Sequence, residues 1–317
     1  TDIPVLNDTI NIMTPFLLAA TGGLYSALAG VLNIALEGLM LNAAFFSIVF
    51  TMVTGNIFLG ILGGIVATLL MTLLFGFISL GLKANVFICG LATNLLAGAL
   101  SIVLAFKIYG QTGSIAFPGM PTLSPIRIPL IHNIPVLGPL LSCYNILVYL
   151  SWLFLFLSVI IIYKTPFGIR LRAVGNDANS ARSLGINPQR IKMASFLISG
   201  FTCAIGGAFL SLTLGAFVPN VTSGRGWIAL AIIYLGKKTP LGVLLGAVIF
   251  GFVEYISNFL QAVSNFPAEL LLSLPFFTTV VILIAFSIIE ERYMKKRRPL
   301  SEAYCEEPEE PIEPQVP

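Results

Sequence analysis

The stretch NIFLGILGGIVATLLMTLLFGFISLGL, residues 56–82, decides the class of fold. It carries no charged side chain and exceeds the roughly 20 apolar residues that a helix needs to cross a bilayer. On the N-terminal side of this stretch, Glu37 is the only charged side chain between Asp8 and Lys83. The whole chain is 57% hydrophobic and 10% charged, which excludes an ordinary soluble domain and predicts a membrane protein.

Apolar runs of similar length recur along the chain, separated by Pro, Gly or polar residues. They fall at 10–32, 34–53, 56–82, 86–107, 144–163, 193–216, 217–236, 240–262 and 268–289. Two places predict broken or re-entrant helices: the polar opening VPNVTSGRG of the run at 217–236, and the junction near Asn33, which has no charged loop. The sequence therefore predicts an all-α bundle of about eight to ten transmembrane segments within residues 1–290.

Lys and Arg in short loops predict the orientation of the chain. The loop Lys164–Lys192 carries six basic residues against one acidic residue, and RYMKKRR at 292–298 carries five more basic residues. Both are expected on the cytoplasmic side. Four crossings between them place Lys237 and Lys238 on that side as well. The loop at 108–143 is then predicted to lie outside. Nine crossings in total would place the N-terminus outside as well.

Neither the tail nor the cysteines predict a site of chemistry. Residues 291–317 turn from basic to acidic and Pro-rich, which predicts a disordered cytoplasmic tail. The four cysteines and the single histidine, His132, have no metal-ligand spacing, so no metal site is expected.

A weak internal repeat favours inverted symmetry. NIALEGLML at 33–41 resembles WIALAIIYL at 227–235, and each precedes a helix with glycines four apart, Gly60/Gly64 and Gly242/Gly246. On the predicted topology the two copies run in opposite directions. Transporters built from inverted repeats place interrupted helices at a central pathway.

The stretch RLRAVGNDANSARSLGINPQRIKM, residues 170–193, contains two helix starts in the basic loop. Asn176 or Asp177 is predicted to cap a short helix over 178–184, with Gly185 just beyond its end. Asn187 and Pro188 then begin the next helix. A loop that only sets topology needs charge but no capped helix of small residues. Ala178, Ala181 and Gly185 are therefore interpreted as a smooth surface for another protein.

Polar residues inside the spans are costly, and they are candidates for a translocation path. Glu37 follows Asn33 by four residues, which predicts one polar helical face. The alternative is hydrogen bonding that fixes helix packing. The candidates are Asn33, Glu37, Asn42, Asn94, Glu254 and Asn258.

The chain resembles ABC importer permeases of the branched-chain amino acid/ribose/nucleoside type over roughly residues 14–290. The resemblance rests on TPFGIRLRAVGNDANSARSLGINPQRIKMASFLISGFTCAIGGAFLSL (165–212), GVLNIALEGLML (30–41), ICGLATNLLA (88–97), GRGWIALAIIYLGKKTPLG (224–242) and GFVEYI (251–256). The nucleoside and simple-sugar permeases that work with basic-membrane-lipoprotein binding proteins look most similar.

The resemblance implies a multi-pass permease of the bacterial cytoplasmic membrane that is not itself an enzyme. A separate cytoplasmic ATPase would hold ATP and Mg²⁺, and the sequence has no phosphate-binding G-x-x-x-x-G-K-[ST] motif. The other expected partners are an extracytoplasmic binding protein, membrane lipids and a second permease chain, identical or related, but no nucleic acid. The resemblance implies that residues 164–192 form the coupling loop, which contacts the ATPase. Its coupling helix would include Asp177, Ala178, Ala181, Arg182 and Gly185.

The resemblance leaves the substrate open among nucleosides, simple sugars and riboflavin. Family members usually carry an acidic and a basic residue just before Gly-Val-Leu-Asn, where this chain reads SALAG at 26–30, and this departure favours riboflavin as a competitor. The candidates to stack on a nucleobase or flavin are Trp227, Tyr234, Phe87 and Phe106. The alternative from another class is a secondary transporter or channel that works without ATP and uses Glu37 and Glu254 for ion coupling.

Overall fold

A computed structural model describes residues 4–126, 143–263, 270, 271, 273–282, 284 and 288. The chain divides into two compact units, Thr1–Pro275 and Phe276–Pro317, and residues 276–282 of the second unit are helical. The predictions for His132 and residues 291–317 lie outside the described residues, and the run at 268–289 lies partly outside them.

The first unit is built from helices, with two very short strands. In chain order the elements of its described residues are α1 Pro4–Leu28, α2 Leu36–Thr54, α3 Ile57–Gly76, a π turn Phe77–Gly81, α4 Val86–Tyr109, β1 Ile115–Ala116, α5 Ile146–Lys164, α6 Pro166–Asn176, α7 Ala178–Ser183, α8 Pro188–Leu214, β2 Ala216–Phe217, α9 Arg225–Leu235 and α10 Pro240–Val263. The predicted all-α bundle is confirmed.

Local sequence sets most helix starts. At six of them a side-chain oxygen accepts hydrogen bonds from the first turn, which satisfies amides that have no partner within the helix. The capping residues are Asn56, Asn85, Asn145, Thr165, Asp177 and Asn187. The Thr-Pro pair at 165–166 begins α6, a helix that the sequence analysis missed although the same rule applies to it.

Six helices of the described ranges are long and apolar enough to cross a membrane: α2, α3 with its π turn, α4, α5, α8 and α10. Helix α1 has 25 residues and is more polar, and it packs against α5, α8, α9 and α10. Helix α9 has only 11 residues, about 16 Å, which is half of a bilayer core of about 30 Å.

The two predicted breaks are confirmed, and they lie side by side. Residues 29–35 leave the helical conformation before α2, and residues 218–224 do so before α9. The first turns of α2 and α9 then touch, because a Cβ atom at Gly226 would lie 2.4 Å from the main-chain nitrogen of Glu37. Two helices therefore begin at one point inside the bundle.

The contacts of α1, α8 and α10 give the directions of these two helices. Helix α8 runs antiparallel to α1, because Gly22 meets Ser199 and Gly206 meets Leu18. Helix α2 runs parallel to α8, since Asn33 bonds to Ser199 while Phe45 and Ile48 pack with Leu212. Helix α9 is antiparallel to α10, because Arg225 pairs with Glu254 while Gly236 meets Gly242. Helix α10 is antiparallel to α1, because Gly251 meets Met13 while Phe259 and Asp8 line one pocket. Helices α2 and α9 therefore run in opposite directions, as the internal repeat predicts.

The strands mark one end of the bundle. Ile115 pairs with Phe217 and Ala116 with Ala216, so the segment after α4 and the segment after α8 lie together. Helix α8 has 27 residues, about 40 Å, and its first turn, from Pro188, belongs to the basic loop 164–192. The strands and the basic loop are therefore at opposite ends, which agrees with the predicted topology.

Candidate functional site

The carboxylate of Glu37 caps the first turn of α9, which lies elsewhere in the sequence. Its Oε1 accepts hydrogen bonds from Thr222 Oγ1 at 2.5 Å and from the amide of Gly224 at 2.8 Å, and its Oε2 accepts one from the amide of Gly226 at 2.7 Å. A helix N-terminus has unpaired amides and a partial positive charge, and Glu37 satisfies both. The residue is buried, so its side chain is engaged within the protein.

The start of α2 is held in a similar way by Asn94 of α4. Its Oδ1 accepts a hydrogen bond from the amide of Gly38 at 2.7 Å, and its Nδ2 donates one to the carbonyl of Ile34 at 2.9 Å. Inside a bilayer such groups need partners within the protein, because no bulk water is there to replace them. Asn94 thus joins the two sides of the break before α2.

The predicted polar face of Asn33 and Glu37 is corrected by the structure, and Asn42 does not extend it. Asn33 precedes α2, so the four-residue spacing to Glu37 is not a helical one. Asn33 donates to Ser199 Oγ on α8 at 2.9 Å, and Asn42 is 3.5 Å from Thr68 Oγ1 on α3. Three neighbouring polar residues therefore reach three different elements.

Glu254 forms an ion pair with Arg225, the first residue of α9. Arg225 Nη2 lies 2.5 Å from Glu254 Oε1, and Arg225 Nη1 donates to the carbonyl of Val221 at 3.0 Å. The sequence analysis named Glu254 as a path candidate without a partner, and the structure gives it one. The missed signal was an arginine inside an otherwise apolar run, since such a charge needs a partner.

The remaining path candidates occupy more exposed positions. Asn258 is exposed one turn beyond Glu254 on α10, where it lines a pocket with Asp8 and Asn11. The aromatic candidates are all exposed on α4 and α9, namely Phe87, Phe106, Trp227 and Tyr234. Their role as stacking groups stays a prediction.

The basic loop 164–192 folds as its capping signals predict. Asp177 accepts a hydrogen bond from the amide of Asn179 at 2.9 Å and one from Ser180 Oγ at 2.5 Å. These bonds lower the pKa of Asp177 below its ordinary value, so its carboxylate is charged near neutral pH. Gly185 follows with φ of +80°, a conformation that favours glycine.

The outward surface of α7 differs from the predicted smooth side. Ala181 is only 2% exposed, so its methyl group packs inside and is unavailable to a partner. Arg182 is exposed, and Leu184 is a 78% exposed apolar side chain just beyond the helix. The loop thus presents a leucine flanked by polar residues.

A backbone contact joins the basic loop 164–192 to the membrane helices. A Cβ atom at Gly175 would lie 1.9 Å from the carbonyl oxygen of Leu28, and one at Gly30 would lie 3.1 Å from Gly175 Cα. The end of α6 therefore rests on the turn between α1 and α2. We call the contact of Leu28, Gly30 and Gly175 the glycine joint. Sequence reasoning did not find it, because small residues alone do not say what they touch.

The structure is that of a multi-pass membrane protein, with six helices among the described residues that can cross a bilayer and two that begin inside the bundle. The chain matches the family described as the permease component of the branched-chain amino acid transport system over residues 5–286. It belongs to this family, and it is a permease of the ABC transporter class.

Two relatives and one solved structure are similar over most of the chain. The guanosine ABC transporter permease protein NupQ of Bacillus subtilis is 33% identical over 88% of this chain and 90% of its own length. The nucleoside ABC transporter permease protein NupC of Lactococcus lactis subsp. cremoris is 31% identical over 86% of this chain and 89% of its own length. An ABC transporter assigned to the metal-chelate type, solved in an inward-facing conformation, shares the fold with a TM-score of 0.54 at 18% identity. The match covers 89% of this chain and 86% of the solved chain.

Proposed function

We propose that this chain is the membrane subunit of an ATP-driven importer of nucleosides. The similarity to two permeases named for guanosine and nucleosides, over more than four fifths of the chain, carries the proposal. Nucleosides are small, polar and uncharged, so they need a protein path through the bilayer. The proposed place of action is the bacterial cytoplasmic membrane.

The partner that supplies energy is a separate ATPase, which docks on the coupling loop from the cytoplasm. Helix α7 suits this role because it is capped at both ends and presents Leu184 and Arg182 outward. An exposed apolar side chain in a polar surround is typical of an interaction site. ATP and Mg²⁺ would be held by that subunit, and this chain would transmit its closure.

The other partners follow from the direction of transport. An extracytoplasmic binding protein would deliver the nucleoside at the end where α1 begins and β1 pairs with β2. A second permease chain, identical or related, would complete the path, and the ends of the bundle would contact lipid head groups. The tail at 291–317 and the C-terminus are proposed to be cytoplasmic.

A secondary transporter is disfavoured by the contacts of the two carboxylates that it would use. Glu37 accepts three hydrogen bonds from the segment Thr222–Gly226, and Glu254 is paired with Arg225. In an ion-coupled transporter the ion must be able to reach the coupling carboxylate and to leave it again. Both carboxylates instead hold the start of α9 in place.

The departure at SALAG has a packing explanation that weakens the case for riboflavin. Ser26, Ala27 and Ala29 are buried, and Gly30 lies against Gly175. Charged side chains at these positions would not fit beside the glycine joint. Close packing of this buried segment accounts for the missing charged pair in our proposal, without reference to the substrate.

The test is uptake by proteoliposomes that contain this chain, its co-expressed ATPase and the cognate binding protein. We expect radiolabelled guanosine to accumulate only with ATP inside, and unlabelled nucleosides to compete better than glucose or riboflavin. The matched control is an ATPase in which the lysine of the phosphate-binding motif is replaced, and this change should abolish uptake. Uptake that persists without ATP and stops when the proton gradient collapses would establish a secondary transporter instead.

A further inference from the structure

A pocket with polar and aromatic walls lies between the start of α1 and the end of α10. Its volume is about 340 Å³, and it is lined by Asp8, Asn11, Ile12, Tyr255, Asn258 and Phe259. We call it the mouth pocket. Two other pockets of the described residues, of about 440 and 370 Å³, have walls made mostly of Leu, Ile, Val and Phe. Those two suit acyl chains, whereas the mouth pocket suits a ligand with both polar groups and a flat ring.

The mouth pocket opens at the end of the bundle away from the coupling loop. Helix α1 has 25 residues, about 37 Å, and its far end rests on Gly175 through Leu28 and Gly30. Asp8 and Asn11 lie in the first turns of α1, at the opposite end. On the orientation given by the basic loops, this is the extracytoplasmic end, where a binding protein would deliver its ligand.

Its polar groups match the hydroxyl groups and ring edges of a nucleoside. Asp8 is exposed and offers carboxylate oxygens, which accept hydrogen bonds from neighbouring hydroxyl groups. Asn258 is exposed and can both donate and accept. Asn11 donates to the carbonyl of Asn7 at 3.2 Å, which leaves its side-chain oxygen as an acceptor. Pro15 has no amide hydrogen, so the main-chain carbonyl of Asn11 also lacks its helical donor.

Its aromatic wall provides a surface for a base. The rings of Tyr255 and Phe259 stand one helical turn apart, with centroids 6.3 Å apart and planes inclined by 18°. The two rings are stacked, and Phe259 is more than half exposed, so one side of the stack is open to a ligand. We call this open side the Tyr255–Phe259 face. Every nucleobase has a flat face that stacks on such rings, while a simple sugar has none.

We infer that the mouth pocket is a hand-over site for nucleosides, in which Asp8 and Asn258 bind the sugar hydroxyls and the Tyr255–Phe259 face stacks on the base. The inference rests on the proposed nucleoside transport. The site lies directly above the mid-membrane network, because Glu254 is one turn below Asn258 on α10 and pairs with Arg225. A ligand leaving the pocket inward therefore meets the start of α9, which Glu37 holds.

The experiment uses the complete transporter in proteoliposomes, with the binding protein saturated with guanosine or with 2′,3′-dideoxyguanosine. The variants are Asp8→Asn, Asn258→Ala and Phe259→Ala, and Ile256→Ala is the control because Ile256 is exposed on α10 but does not line the pocket. We expect each pocket variant to lower guanosine uptake at least tenfold, with ATP hydrolysis still stimulated by the binding protein. Ile256→Ala should transport like the wild type.

The remaining outcomes separate this inference from the proposed function. If the wild-type transporter takes up no nucleoside, the proposed function fails before any variant is tested. If the wild type takes up guanosine and the variants match it, the hand-over site is overturned and the proposed function stands. Loss of both uptake and stimulated ATP hydrolysis would make the pocket a docking surface for the binding protein and overturn the ligand site. If Asp8→Asn erases the preference for guanosine over the dideoxy analogue, the carboxylate contact to the sugar is supported; an unchanged preference overturns it.

Discussion

The side chain of Glu37 bonds to the amide of Gly226 at 2.7 Å, although the two residues are 189 positions apart. This bond joins the first turns of two helices that run in opposite directions from one point in the bundle. Both helix ends carry partial positive charge, and a single carboxylate lies between them. The contact thus stabilises the two broken helices where they begin.

Replacing Glu37 with Ala should destabilise the protein strongly. The change removes acceptors from Thr222, Gly224 and Gly226, and hydrogen bonds to charged groups contribute about 1.5–3 kcal/mol each. We expect a loss of about 3 kcal/mol or more, seen as a lower melting temperature in detergent. Thr222→Val, which removes one donor, should have the smaller effect. Equal melting temperatures for Glu37→Ala and the wild type would contradict the capping role.

The pair Arg225–Glu254 should show energetic coupling in a double-mutant cycle. Each single change, Arg225→Met or Glu254→Gln, leaves the other group without its partner in a mostly buried place. The double variant should be more stable than the sum of the two single effects, by about 1–3 kcal/mol. Thermal unfolding of the four proteins measures this difference. Strict additivity would mean that the ion pair contributes nothing.

Sequence patterns predicted what depends on neighbours in the chain. The breaks near Asn33 and before Arg225, the cap at Asp177 and the helix start at Asn187 were all readable, because each depends on a few consecutive residues. The partners of Glu37, Asn94 and Glu254 were not readable. Hydrogen-bond partners on distant elements are set by helix packing, and no local rule specifies that packing.

One prediction failed because a local rule was applied across a break. Asn33 and Glu37 are four residues apart, and that spacing gives a shared face only in a continuous helix. The helix begins at Leu36, so the two side chains point to different helices. Ala181 shows the same limit, since its small size did not reveal that it is buried.

Changes at Asp177 should separate capping from charge. Asp177→Ala removes the acceptor for the Asn179 amide and should loosen α7, whereas Asp177→Asn retains a capping oxygen. We expect Asp177→Ala to lower ATP-driven uptake more than Asp177→Asn at neutral pH. Uptake per ATP hydrolysed is the measurement.

The pH dependence at Asp177 has a defined sign. Its pKa is lowered in the folded protein, so the charged cap stabilises the loop above the ordinary Asp pKa and this contribution is lost as pH falls through the lowered value. Asp177→Asn should remove this acid-induced loss. The measurement is the protection of the loop amides from hydrogen exchange as the pH is lowered. If Asp177→Asn and the wild type lose protection at the same pH, Asp177 does not cause the loss.

The glycine joint should be needed to pass movement from the coupling loop to the membrane helices. In Gly175→Ala the new Cβ would lie 1.9 Å from the carbonyl oxygen of Leu28, so α6 must move away from the α1–α2 turn. That turn leads directly into Asn33 and Glu37, which contact α8 and α9. We expect the assembled transporter to hydrolyse ATP while uptake per ATP falls at least tenfold. Gly98→Ala is the matched control, because its Cβ would meet only Leu41 at 3.9 Å. Normal uptake by Gly175→Ala would show that force reaches the membrane through α8 alone, along the helix that begins at Pro188.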